Sequence, residues 1–259
     1  MTSCTFDFTG TRVLVTGSTV GIGRSIAEAF HVAGATVAIN GRSQKSVDQA
    51  VDAMGGGARL LRAPGDLSSG AGARLLASTV VDQLGGLDVL VNNAGRGEDR
   101  SFGDVDPEYW EQMIGLNLTG TLFATQACLP ALLASRGSIV NVCSGLGLLG
   151  GVPGTSIYST TKSALIQATR MLALEFAKSG VRVNGLVPGW IDTPMIRAAN
   201  EVGGGNELLN YIQDVTPMGR AGTPEECAGA VLFLCSTLAS FATGTLLVVD
   251  GGLTAGHYV

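Results

Sequence analysis

Seven short runs of β-branched and aliphatic residues recur along this chain, and stretches of helical period fill the intervals between them. The runs are Val13–Thr16, Thr36–Asn40, Arg59–Ala63, Val89–Val91, Ile139–Val142, Val181–Val187 and Leu246–Val249. Behind the first, Ile22, Ile26, Phe30 and Ala33 fall on one face of a helical period. A helix of about four turns is predicted between the third and fourth runs, stopping at Gly85-Gly86. A longer one starts after Asp106-Pro107, because Asp caps well and Pro suits a first turn; Pro130 should kink or end it. Such alternation implies an α/β fold, a parallel sheet with helices on both faces. The 259 residues show no composition break and no internal repeat, so a single domain over 1–259 is expected. Met195–Pro217, with Gly203-Gly204-Gly205, is the least regular stretch and is read as a flap over a pocket, at about 190–217.

Composition removes several classes of function. Hydrophobic residues make up 46% and charged residues 14%, so cover by other subunits is expected for part of the apolar surface. A net charge of −5 argues against nucleic acid, which demands a basic face. The first residues hold no basic patch followed by an apolar run, and no stretch approaches about eighteen uninterrupted apolar residues. Neither a signal peptide nor a membrane span is predicted. Five cysteines without a Cys-x-x-Cys pair and only two histidines, His31 and His257, leave few metal ligands. Reduced, cytoplasmic and metal-free is the simplest account.

The turn between the first run and its helix reads Thr16-Gly17-Ser18-Thr19-Val20-Gly21-Ile22-Gly23. Gly17 lets the chain turn off the strand, Gly21 lets a diphosphate approach, and Gly23 lets the helix pack closely. The helix N-terminus adds free N–H groups and a positive dipole end. Asp66, after the third run, is placed either to accept from an adenine amino group or to serve the start of the next helix. An NAD site usually carries an acid about twenty residues beyond the glycines, for the ribose 2′-hydroxyl. Here Asn40-Gly41-Arg42 stands instead, and a basic Arg42 suits a 2′-phosphate. NADP is favoured over NAD.

Tyr158 and Lys162 lie four residues apart at the head of a predicted helix, on one face. Four tyrosines and three lysines in 259 positions give roughly 0.05 chance pairs at that spacing, so the pair is informative. A phenol is a poor acid–base at neutral pH, and a nearby ammonium favours its phenolate. Such a tyrosine can pass a proton to or from a substrate oxygen while hydride moves at the neighbouring carbon. Ser144 ends the fifth run, where an open α/β sheet presents its ligand crevice, and its hydroxyl can hold the reacting oxygen. Cys143 has no histidine placed to activate it and is read as a small core residue.

Taken in order, Thr-Gly-x-x-x-Gly-Ile-Gly at 16–23, Asn92-Asn93-Ala94-Gly95, Ser144, Tyr158-x-x-x-Lys162 and Pro188-Gly189 resemble the classical short-chain dehydrogenase/reductase family, in particular its 3-oxoacyl-[acyl-carrier-protein] reductase-like members. The resemblance runs from about Phe8 to Gly252. It implies a single Rossmann-type domain with a seven-stranded parallel sheet, usually a homotetramer, with Gly244–Gly252 as an oligomer-forming terminal strand. It adds Asn117 as a fourth catalytic residue that distorts its helix and holds a water linking Lys162 to solvent. It also implies that Lys162 contacts the nicotinamide ribose, and that Asn93, Ala94 and Gly95 line the cofactor channel. Ser18, Thr19, Val20, Ile22, Leu67, Pro188 and Gly189 complete the cofactor surface, with Ile191 and Thr193 on the carboxamide. Two departures stand out: Val20 replaces the basic residue of many NADP-using members, and the Ser144–Tyr158 interval is about one residue longer than usual. The expected activity interconverts a ketone and a secondary alcohol, with Gly145–Thr155 and Trp190–Pro217 facing the substrate. Leu146, Leu148, Leu149, Val152, Trp190 and Met195 suggest an apolar pocket. The alternatives are a cofactor-binding regulator without turnover and a nicotinamide-retaining epimerase or dehydratase.

Overall fold

The computed structural model describes residues 5–149, 152–202 and 207–256. Seven strands, β1 (Arg12–Val15), β2 (Thr36–Gly41), β3 (Leu60–Pro64), β4 (Val89–Asn92), β5 (Ser138–Val142), β6 (Arg182–Pro188) and β7 (Leu246–Val249), form one sheet. Its order is β3-β2-β1-β4-β5-β6-β7 and every pairing is parallel. Each predicted run is a strand, with ends moved by a residue or so.

Helices cover both faces. Val13 and Val15 of β1, Val37 and Ile39 of β2 and Val91 of β4 pack under α1 (Gly21–Val32), α2 (Gln44–Ala53) and α9 (Pro224–Cys235). The alternate residues Leu14, Ala38 and Leu90 pack on the other face, under α3 (Gly70–Leu84) and α5 (Thr121–Ser135). Burial on both faces explains why the strands read as continuous apolar runs rather than alternating ones. The chain winds from β1 outward to β3, then returns to place β4 on the other side of β1. The carboxyl ends of β1 and β4 therefore part, and an open α/β sheet binds ligands at such a reversal.

The helix after Asp106 begins as expected: Asp106 accepts from the Tyr109 N–H at 2.7 Å, with Pro107 at the start of α4 (Pro107–Ile114). Pro130 does not end the run, which continues to Ser135. Proline removes one N–H and frees one carbonyl; burial of Ala124, Cys128 and Leu132 against α3 and the sheet holds the turns on either side. Pro107–Ser135 is long and apolar enough, by length and composition, to span a bilayer, yet those three side chains lie in the core.

The flap reading is corrected in its regularity. Residues after β6 form two helices, α7 (Pro194–Val202) and α8 (Glu207–Val215), rather than an irregular stretch. The glycine triplet obscured a helical period in which Leu208, Leu209 and Ile212 recur; Gly203–Gly205 themselves lie outside the described residues, as do Cys4 and His257.

Candidate active site

The glycine turn is stitched in from three strands. Thr16 Oγ1 accepts from the N–H groups of Asn93 and Ala94, each at 3.0 Å. Gly17 N–H donates to Asn40 Oδ1 at 3.0 Å and Ser18 N–H to the Asn40 carbonyl at 2.8 Å. Asn40 Nδ2 donates onward to the Ala63 carbonyl at 2.9 Å, so one buried amide ties the turn to β2 and β3. Asn93 Nδ2 donates to the Thr16 and Gly17 carbonyls at 2.9 and 3.0 Å.

Gly17 has φ +61°, and a Cβ there would stand 2.9 Å from Ala94 Cα, so both backbone sign and space require glycine. A Cβ on Gly23 would overlap the Asn93 amide and the Gly17 carbonyl, and that clamp is the close packing expected of the third glycine. Gly21 (φ +57°) faces Thr193 Cγ2, 3.4 Å from where its own Cβ would be, which brings Thr193 beside the turn. Val20 occupies the N-cap of α1, makes no side-chain cap and is 60% exposed, and the first turn of α1 carries no acid. The leading N–H groups of α1 thus have no side-chain cap and could hold an anion.

Arg42 is exposed just past β2, ahead of Ser43, which caps α2 by accepting from Ser46 N–H. Asp66 accepts from Ser68 through its hydroxyl (2.7 Å) and its N–H (3.0 Å). Those bonds, with a smaller contribution from the charge of Arg42, hold its carboxyl below the usual range. Ser69, not Asp66, caps α3. The Leu67 side chain belongs to the core, leaving only its backbone for a ligand. Gly189, after Pro188 at the end of β6, donates to the Val249 carbonyl at 3.0 Å, and buried Ile191 bridges to Gly222.

Across the crevice, Lys162 on α6 (Ser156–Phe176) is 4% exposed. Its Nζ donates to the Val142 carbonyl at 2.9 Å and lies 5.7 Å from the centre of the Tyr158 ring. None of the ion pairs among the described residues includes it. A buried ammonium without a carboxylate is costly, which makes Lys162 a candidate functional group rather than a stabilising one. Asn117 is fully buried in a π-helical turn, Gly115–Gly120, between α4 and α5; the helix distortion expected there is present. Its side chain accepts from Arg96 N–H (2.9 Å) and donates to the Arg96 carbonyl (3.0 Å) and to Thr161 Oγ1 (3.3 Å). A Cβ on Gly95 would lie 3.0 Å from Asn117 Oδ1 and 3.4 Å from Lys162 Nζ, so Gly95 is the thin wall between them. The Tyr158 ring packs beside Gly97 and joins Tyr109, Met113 and Ile157.

Ser144 follows Val142 by two residues at the carboxyl end of β5, half-buried, its Oγ accepting from Leu146 N–H at 3.2 Å. The segment after it winds into a 3-10 turn, Gly145–Gly147, held to α6 by Ser163 Oγ donating to the Gly147 carbonyl. Burial pushes the Cys143 thiol up to about 11, consistent with a core residue. No cluster of three metal-ligating side chains occurs among the described residues.

Asn40, Thr16 and the Arg96–Gly97 segment were not singled out from the sequence for these structural roles. The signal available was a polar residue ending an otherwise apolar two-faced strand, as Asn40 does.

A family model described as Enoyl-(Acyl carrier protein) reductase matches residues 17–254. The chain is a short-chain dehydrogenase/reductase. It is 40% identical to the 3-oxoacyl-[acyl-carrier-protein] reductase FabG of Aquifex aeolicus, over 93% of this chain and 96% of that protein. It is 37% identical to a galactitol 2-dehydrogenase (L-tagatose-forming) of Cereibacter sphaeroides, over 96% of this chain and 97% of that one. A solved short-chain type dehydrogenase/reductase from Mycobacterium marinum superposes with a TM-score of 0.89 at 31% identity, covering 97% of this chain and 98% of that one. As a member of this family the chain is an oxidoreductase that interconverts a ketone and a secondary alcohol with a nicotinamide dinucleotide, NAD(P)(H).

Proposed function

We propose that Tyr158 is the general acid–base of this ketone–alcohol interconversion, that Lys162 and Asn117 support it, and that NADP(H) is the preferred dinucleotide. The observation that carries the reading is the convergence of Asn117, Lys162 and Tyr158 around Gly95 and Gly97, at the carboxyl ends of β4 and β5. The bound nicotinamide supplies or accepts the hydride. The uncapped start of α1, with Gly17, Ser18, Thr19, Gly21 and Ile22, would hold its pyrophosphate; Asp66 and the Leu67 backbone would border the adenine; Asn93, Ala94, Pro188, Gly189, Ile191 and Thr193 would border the nicotinamide half. Arg42 is exposed and would meet a 2′-phosphate by charge-assisted hydrogen bonds.

In the reducing direction Tyr158 Oη donates its proton to the substrate oxygen, which Ser144 Oγ orients. The Lys162 ammonium, fixed by the Val142 carbonyl and 5.7 Å from the centre of the Tyr158 ring, would favour negative charge there. The Asn117 side chain is committed to Arg96 and Thr161, which leaves the backbone of the π-helical turn for a relay water. Thr193, brought to Gly21, supports 190–217 as a flap hinged beside the cofactor.

The chain assembles, in this reading, as a cytoplasmic homotetramer. Exposed Met171 and Leu174 on α6, Phe241, and the open outer edge of β7 with Val248 support such cover.

Titration of the purified protein with NADPH and NADH, followed by cofactor fluorescence, tests the reading. Tight NADPH and weak NADH binding support it. NADH-biased or equal binding removes the 2′-phosphate site, and binding of neither removes the crevice. Turnover is then scored on ethyl acetoacetate, a 3-oxoacyl thioester, a steroid ketone and a polyol.

A further inference from the structure

Thr161 stands immediately before Lys162, is fully buried, and is bonded at both ends of its hydroxyl. Its Oγ1 donates to the Tyr158 carbonyl at 2.7 Å and accepts from Asn117 Nδ2 at 3.3 Å. The remaining polar atoms of the Asn117 amide close on the two backbone groups of Arg96. Arg96 continues from Gly95, whose backbone lies between Asn117 Oδ1 and Lys162 Nζ. Lys162 closes the ring, being covalently next to Thr161. Four elements meet in this circuit: the segment after β4, the π-helical turn, α6, and β5 through the Val142 carbonyl.

We infer that Thr161 is a positioning residue for proton transfer, holding the Asn117 turn and the Tyr158/Lys162 helix at a fixed distance through its hydroxyl. This rests on the acid–base reading of Tyr158 given above. Helix packing alone would accept any small residue at a buried α6 position. A hydroxyl that donates to one functional residue and accepts from another does what an alanine or valine there does not. Removing it leaves one of the two buried Asn117 side-chain N–H groups without a partner, and buried amides left short of partners relax toward other geometries. The Arg96 peptide and the Gly95 wall against Lys162 then lose their register.

Thr161→Val keeps the branched shape and deletes the hydroxyl; Thr161→Ser keeps the hydroxyl and deletes the methyl. Two readouts are compared in the full-length protein. Amide hydrogen exchange at Arg96, whose N–H is the donor to Asn117, requires no substrate. Steady-state kinetics with the ketone of highest turnover separates kcat from KM. The expected result for Thr161→Val is faster Arg96 exchange and a fall in kcat of about tenfold, the scale of one lost hydrogen bond, with KM and cofactor affinity within about twofold. Thr161→Ser should restore both readouts, and Thr161→Ala, a second deletion of the hydroxyl, should repeat the Val result. Unchanged exchange and kcat in Thr161→Val overturn the inference, and so does a Ser variant that behaves like Val. Turnover retained by Tyr158→Phe would instead strike the acid–base assignment beneath it, while the exchange result still reports whether Thr161 holds the Asn117 turn.

Discussion

The two walls of the proposed site, one assigned above to the cofactor and one to the substrate, are built differently. On the cofactor side, Thr16, Asn40 and Asn93 bind the glycine turn to β2, β3 and β4 through bonds of 2.9–3.0 Å between buried or half-buried groups. On the substrate side, Leu149, Met195 and Tyr211 are about half exposed, and α8 leans on the rest through an edge-on Trp190–Tyr211 contact at 6.1 Å. Binding a constant group calls for a preformed surface, whereas selection among ketones falls to side chains whose loss the fold tolerates. The difference suggests that specificity can be changed on one wall without loosening the other.

The largest effect should come at the line where the walls meet. Tyr158→Phe is expected to lower kcat by roughly 10³-fold or more, with NADPH affinity within a few-fold; a variant keeping a tenth of the activity would assign the proton to another group. Next is the preformed wall. Gly17→Ala places a side chain at φ +61° against Ala94 and should weaken both cofactor binding and stability, the latter by about 1–3 kcal/mol in denaturant titration. Undiminished NADPH binding would show that the turn is more pliant than its hydrogen bonds suggest.

Arg42→Asp should reverse the NADPH-to-NADH affinity ratio, by roughly one to two decades, because repulsion replaces a charge-assisted bond. An unchanged ratio removes Arg42 from the site. Leu149→Ala and Met195→Ala should shift KM or substrate range a few-fold while unfolding within about 0.5 kcal/mol of the parent, since both side chains are exposed. A large loss of stability would place them in the core and erase the contrast between the walls.

The smallest effect concerns α9, which packs on α1 behind the cofactor wall. Hydrogen bonds from Arg220, then from the Thr223 N–H, hold the Glu226 carboxyl at about 2, against an ordinary 4.5. A depressed folded value adds stability above the unfolded value and loses it as pH falls through the folded one. The Tm advantage of wild type over Glu226→Gln should therefore be complete above pH 4.5 and fade toward pH 2. A constant difference across that window would show that the amide loses only packing.

What was legible in the sequence follows the same division. Apolar runs buried on both faces announced each strand, and the glycines announced the turn because φ +61° at Gly17 admits little else. The placement of Tyr158 and Lys162 side by side on α6 was legible through their spacing. Asn40 and Thr161 were not, because their roles depend on partners 23 and 44 residues away in the chain. The two helices of 194–215 were hidden by the glycines between them, which speak about the connection rather than its flanks.

The π-helical turn at Gly115–Gly120 also acts as a gear between distant surfaces. An extra residue in one turn advances everything after it by about 100° of helical phase. That phase points Thr121 and Thr125 inward, Thr125 receiving the Asn92 amide at 2.9 Å, and sets which flank of α5 faces outward. Loss of one residue from this segment would straighten the helix while rotating α5 on its axis, carrying the buried Thr125 hydroxyl away from the Asn92 amide it now receives. A deletion that small would disturb the chemistry and the outer surface together.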